Sequence, residues 1–330
     1  MGQLVLASNA NVAENFFCVE CGEPVLLKSS KNGLFFYTHH SYKTNDLEGE
    51  SVNHLLGKQA IYCWAKQKGL NPEIEKHLSK INQRPDILFR INNQRFVIEY
   101  QCSPISVKKL IQRNDGYKKE NIKAIWVLGE NYRKKSGKIN QAKFVQKYHG
   151  KYCLLFWNMS INKLEPVLCR KKVLTQRSVL RETLLMHNVY HKHKRTRKLF
   201  EGFYSKGLNL AACPLFVHDN IQSISLLKER ELNWKLEILL SILNRSVGTT
   251  WSSNDWVTWI YQHTEWLEMP CLQSADISAL RAKLIKQLTV NLINNKWLKY
   301  HSNKIIWTGN YNWYSNIDLK IYDIKRASHY

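Results

Sequence analysis

Apolar and polar positions alternate with different periods along this chain, and the period changes mark its elements. Residues 1–45 are turn-rich: Phe16-Phe17, then an apolar Val25-Leu26-Leu27, a polar stretch ending in Asn32-Gly33, and Phe35-Phe36-Tyr37 ahead of His39-His40. Asn-Gly between two apolar runs predicts a β-hairpin. From about Glu50 the period becomes helical, with Val52, Leu55, Leu56, Ile61, Trp64 and Ala65 at three- and four-residue steps until Gly69 stops the run. Asp86–Asn92 and Arg95–Gln101 flank Asn92-Asn93 and read as a second hairpin. Ser106 to about Lys119 predicts a helix striped by Val107, Leu110 and Ile111, and the continuous runs at 124–129 and 152–157 predict buried strands. The order helix, hairpin, helix, strand makes an α/β core that closes near residue 165. Beyond it, Leu226–Asn244 and the period Leu280, Leu284, Ile285, Leu288 predict a mostly helical remainder. No fixed-period repeat or low-complexity tract interrupts the chain.

Charge sharpens this picture. The 330 residues carry 49 Lys plus Arg against 26 Asp plus Glu, a formal net charge of +23, and 44% of them are hydrophobic. That length favours two domains, and that apolar share excludes a disordered chain. The excess of positive charge points to a polyanionic partner, nucleic acid before an anionic membrane. No run of about 18 apolar residues supports a membrane span. The first residues lack the basic start of a secretory signal and the hydroxyl residue of a myristoylation site. The eight cysteines are scattered rather than arranged as a disulfide framework. A reduced, cytoplasmic protein is expected.

The candidate chemistry lies in Arg84-Pro85-Asp86 and Glu99-Tyr100-Gln101. Residues two apart on a strand share a face, so Glu99 and Gln101 project together while Phe96, Ile98 and Tyr100 point the other way. A carboxylate turned inward on so apolar a strand needs a partner or a cation. If the hairpin sets Asp86 beside Glu99, the two make a hard oxygen site suited to Mg²⁺ or Mn²⁺. Glu50, His54 and Lys58 follow at four-residue steps on one helical face, where Lys58 would neutralise charge on an attacked phosphate and His54 contact a phosphate or move a proton.

Together these residues resemble a known family. Cys18-Val-Glu-Cys21-Gly-Glu-Pro-Val, Glu50-Ser-Val-Asn-His54-Leu, Arg84-Pro-Asp86, Ile98-Glu-Tyr-Gln-Cys-Ser-Pro-Ile-Ser106 and Arg113-Asn-Asp-Gly-Tyr117 look like the CoiA competence proteins, over roughly residues 15–130. In the second half the likeness is confined to Cys213-Pro-Leu-Phe. The resemblance implies a restriction-endonuclease-like, PD-(D/E)XK core and a role in DNA uptake during natural transformation. It also implies recombination of incoming single strands together with the RecA recombinase. Glu50, Asp86, Glu99 and Gln101 fall on the nuclease motif positions, with Gln101 where the commonest motif has Lys. The implied organisation is a zinc-ribbon-like unit over 1–46, the nuclease-like domain over 47–165, and a basic, mainly helical domain over 166–330.

Cys18 and Cys21 have the spacing of two ligands to one Zn²⁺. The resemblance implies a His pair ending at His39; Phe36 stands where the other would be, which leaves His40 as the substitute. The densest basic stretch, residues 170–206, holds 11 Lys or Arg and two acids. Lys192, Lys194, Arg195, Arg197 and Lys198, with Tyr190 and Phe200 interleaved, suit single-stranded DNA, and Lys108, Lys109 and Arg113 are placed to hold phosphates near the cleft. Two functions follow: a divalent-metal-dependent deoxyribonuclease, or a non-catalytic single-strand binder that mediates recombination on a nuclease fold.

Overall fold

The computed structural model describes residues 5, 7–11, 13–17, 24–29, 35–39, 52–135, 137–169, 174–220 and 223–326. Near its start, β1 (Phe16–Phe17), β2 (Pro24–Ser29) and β3 (Phe35–His39) form an antiparallel sheet in which Ser29 pairs with Phe35. The helical period of the sequence then appears as α1 (Val52–Gln67), closed by Gly69 at φ +74°, a left-handed conformation that favours glycine.

One mixed sheet follows. Its meander is β4 (Glu73–Ile74), β5 (Ile87–Ile91) and β6 (Gln94–Gln101), antiparallel throughout, with Asn92 at φ +50° in the tight turn between the last two. The helix α2 (Val107–Lys119) starts at Ser106, whose hydroxyl accepts from the Lys109 amide. It carries the chain across to β7 (Ile122–Leu128), parallel to β6. Short helices α3 (Glu130–Lys135) and α4 (Lys138–Ala142) lead to β8 (Gln146–Tyr148), β9 (Lys151–Asn158) and β10 (Lys163–Leu168), giving the order β10–β9–β7–β6–β5–β4 with β8 on β9. Helices lie on both faces: α1 packs Ile61 against Ile98 and Tyr100, and Leu110 and Tyr117 of α2 are fully buried.

The second half contains α5 (Gln176–Asn188), α6 (Lys194–Tyr204), α7 (Glu231–Leu243), β11 (Thr250–Ser252), α8 (Ser253–Gln262), α9 (Ser274–Asn294), β12 (Leu298–His301), β13 (Lys304–Trp307) and α10 (Ile317–Arg326). Helices predominate, as expected. The sheet β11–β13–β12 was not expected, because strands of three or four residues are too short to show an alternation. β10 ends at Leu168, yet the buried cluster runs on, from Trp126, Phe144 and Phe156 to Trp234, Leu288 and Trp307. The two halves differ in secondary structure and share one core.

That core encloses a polar knot. Lys320 of α10, fully buried, donates to the Ala211 carbonyl at 2.8 Å and lies 3.3 Å from Cys213 Sγ. His218 Nδ1 sits 3.0 Å from Glu182 Oε2. Burial raises the Cys213 thiol, and Lys320 and His218 more than reverse that, holding it below the usual thiol range.

Candidate functional site

The hairpin register decides what the site can be. Ile87 pairs with Ile98, so Asp86, one residue before β5, falls opposite Glu99. Asp86 Oδ2 accepts from the Tyr100 amide at 2.7 Å, which fixes the carboxylate at the mouth of the hairpin. His54 Nε2 of α1 stands 3.5 Å from the same oxygen, with its ring stacked on Tyr100 at 5.7 Å between centroids. Gly57 makes this approach possible, since a Cβ there would meet the Tyr100 ring at 2.0 Å.

Glu99 is 3% exposed and faces α2, where Tyr117 donates its hydroxyl proton and Arg113 donates from Nη2 at 2.6 Å, both to Oε1. The same Arg113 nitrogen donates to the Arg84 carbonyl at 2.9 Å. Burial dominates: it pushes the Glu99 carboxyl up to about 7, against the pull of Arg113 and with a further push from the Asp86 charge. The field of Glu99 raises Arg113 despite its own burial, so the guanidinium stays charged.

The remaining site residues separate around this pair. Gln101 shares the face of Glu99, and its amide donates to the Ser103 carbonyl at 2.6 Å. Lys58, 3% exposed, is ion-paired with Glu75. Glu75, whose amide donates to the Asp86 carbonyl at 3.1 Å and whose φ is +49°, brings a third carboxylate near the hairpin mouth. Sequence reasoning missed it, although Glu73-x-Glu75 at two-residue spacing ahead of Arg84-Pro-Asp86 was the available signal. Arg113, expected on DNA phosphates, is instead committed to Glu99. Lys108, Lys109, Lys192, Lys194, Arg197 and Lys198 are all exposed. Tyr190, read as a base-stacking residue, is a core residue whose hydroxyl lies 3.0 Å from Asn233 Oδ1; its apolar neighbours bury it where α6 packs on α7. Phe200 is half-buried and stacks on Tyr204, which is 74% exposed.

Glu50, Cys18, Cys21 and His40 lie outside the described residues, as do the side chains of His39 and Arg195. Among the described residues no group of three or more His, Cys, Asp or Glu side chains is arranged to hold a metal. Asp86 and Glu99 are hard oxygen donors of the type Mg²⁺ takes, and Glu99 would have to loosen its bonds to Arg113 and Tyr117 to serve.

Helix, antiparallel meander, crossover helix and parallel strand, with an acidic pair at the hairpin mouth, lie within residues 50–200, which match the family model "Competence protein CoiA, nuclease-like domain". The chain is CoiA-like over this part. It is 37% identical over 119 residues to Competence protein CoiA of Bacillus subtilis (strain 168), a stretch that covers 34% of this chain and 31% of that relative. The match thus spans about a third of the length of the curated relative. No solved structure matches this chain.

Proposed function

We propose that this protein acts in competence, on incoming DNA, as a divalent-metal-dependent nuclease that hydrolyses phosphodiester bonds. The observation that carries this reading is the register that puts Asp86 opposite Glu99 at the end of an antiparallel hairpin, in a segment similar to the CoiA nuclease-like domain. The order of elements from α1 to β7 is also the one the restriction-endonuclease-like reading requires.

Asp86 and Glu99 would hold Mg²⁺ or Mn²⁺, which when bound polarises the scissile phosphate and acidifies water. Arg113 holds Glu99 in place while the site is unliganded. His54, beside Asp86, is placed to accept or deliver a proton at Nε2. Lys58, drawn back by Glu75, supplies the cation that Gln101 cannot, once Glu75 releases it. Lys108 and Lys109 at the start of α2, and Lys192, Lys194, Arg197 and Lys198 around α6, lead a DNA backbone towards the hairpin mouth. A zinc held by Cys18, Cys21 and His39 or His40 would order the N-terminal sheet, and RecA is the proposed recombination partner.

Cleavage of single- and double-stranded DNA with and without Mg²⁺ or Mn²⁺ tests this. Cutting should require the metal and fall by about 100-fold or more in both Asp86→Ala and Glu99→Ala, the scale expected when a metal-holding group is lost. Intact DNA binding with no cutting under either metal overturns it. That outcome would favour the second reading, a non-catalytic recombination mediator, for which the commitments of Gln101 to Ser103 and of Lys58 to Glu75 already speak.

A further inference from the structure

The elements from α7 to β13 run helix, strand, helix, helix, strand, strand, and their sheet has the order β11–β13–β12. This is the connectivity of a winged helix: two helices, α8 and α9, joined by residues 263–273 and followed by a hairpin that packs beside the second. The pair is held by Trp256 of α8, whose indole donates to Thr289 of α9 at 2.8 Å. The hairpin turns on two residues, Ser302 and Asn303, both at positive φ (48° and 59°), so it projects as a short, stiff tip.

Three observations say what this unit meets. First, α9 has an open face. Ala275, Ser278, Ala279, Ala282, Lys283 and Lys286 are exposed along one stripe, while Leu284, Ile285, Leu288 and Leu292 fill the core behind it. Small residues followed by two lysines let a polyanionic backbone come close to the helix. Second, the charge is one-sided. From residue 270 to 310 the cations are Arg281, Lys283, Lys286, Lys296, Lys299 and Lys304, and the one acid in the sequence is Asp276. Third, that acid is neutralised by the other half of the molecule, with Lys147 at 2.8 Å and the Tyr152 hydroxyl at 3.0 Å. Asn114 of α2 adds a bond to the Pro270 carbonyl at 2.8 Å. The connection between α8 and α9 therefore faces the sheet domain, and the stripe and the hairpin tip are left open.

We infer that α9 and the β12–β13 hairpin form a second DNA-binding surface, separate from the α6 basic segment, that takes duplex DNA through its phosphates. The stripe holds no Arg, Asn or Gln fully exposed to read base edges, so binding is independent of sequence. The proposal shares its ligand class with the function proposed above and none of its residues.

Fluorescence anisotropy of a labelled 20-base-pair duplex and of the matching single strand, in EDTA so that no cutting occurs, tests it on the full chain. Lys283→Ala/Lys286→Ala and Lys299→Ala/Lys304→Ala should each weaken duplex binding several-fold at moderate salt and lower the slope of log K against log salt by about 2. Single-strand binding and metal-dependent cutting of a single strand should stay near wild type. Lysine-to-arginine versions at the same positions should restore the slope, which separates lost charge from lost folding. Unchanged duplex affinity and slope in both double variants overturn the proposal, as does a loss confined to the single strand. A failure of Asp86→Ala to affect cutting would bear on the nuclease reading and leave this one standing.

Discussion

Glu99 is the residue on which sequence and environment conflict most. A strand of eight residues, QRFVIEYQ, places one carboxylate among buried neighbours, and Arg113 and Tyr117 offset part of the desolvation. Its native carboxyl, at about 7, lies above the ordinary value of 4.5. Below pH 4.5 both folded and unfolded chains hold the proton; between 4.5 and 7 the folded chain holds it and the unfolded one has lost it. The stabilisation from native proton binding is therefore full at acid pH and disappears as pH rises through 7. In metal-free buffer the stability difference between wild type and Glu99→Gln should shift against wild type from pH 5 to pH 8, by on the order of 3 kcal/mol at most. Denaturant midpoints across that range measure it, and a difference that is flat or rises with pH contradicts the ionisation assigned to Glu99. The inward Glu was legible from alternation alone. Its partner was not, because Arg113 lies on a helix 14 residues on and only the β6–α2–β7 crossover brings the two together.

At the scale of elements, α1 is positioned by a missing side chain. Gly57 lets the helix close on Tyr100, and that distance places His54 beside Asp86. Gly57→Ala would gain helix propensity of up to about 1 kcal/mol. It would also force a methyl into the buried Tyr100 ring, an overpacking cost of roughly 1–3 kcal/mol that should win. A lower Tm, accompanied by loss of the His54–Asp86 contact in NMR titration of the His54 ring, is expected; an unchanged or raised Tm would show that α1 can move away freely. The helices α1, α2 and α7 were readable from their period and lie within the predicted spans, and the Asn92-Asn93 hairpin stands where its turn signal put it. β11, β12 and β13 were not, since each is three or four residues long and β11 owes its place to pairing with β13 more than 40 residues on.

The whole molecule is held by a core that ignores the change in character near residue 165. Trp126 and Phe156 of the sheet belong to one buried cluster with Trp234 and Leu288, and Asn114 and Lys147 bridge to the α8–α9 connection and α9. A fragment covering residues 47–168 should therefore behave as a loosely packed species, binding a hydrophobic dye and exchanging its β7 amides faster than the full chain. A fragment with a cooperative melt and protected amides would show that the sheet is stable alone. The charge of +23 told which class of partner to expect, and α2, α6 and α9 together carry +9 of it.

The shared core also sets an order on the protein's own making. As the chain leaves the ribosome, β10 is finished at Leu168, but Trp126, Phe144 and Phe156 still await Trp234, Leu288 and finally Trp307, with Lys320 arriving last to meet Cys213. At a synthesis rate of about 5–20 residues per second, this interval of some 150 residues lasts roughly 8–30 seconds. For that time a nascent sheet bearing Asp86 and Glu99 is present without the helices that complete its packing. The Asp86–Glu99 pair thus gains its full rigidity only after α10 has been made, well after its own strands are complete.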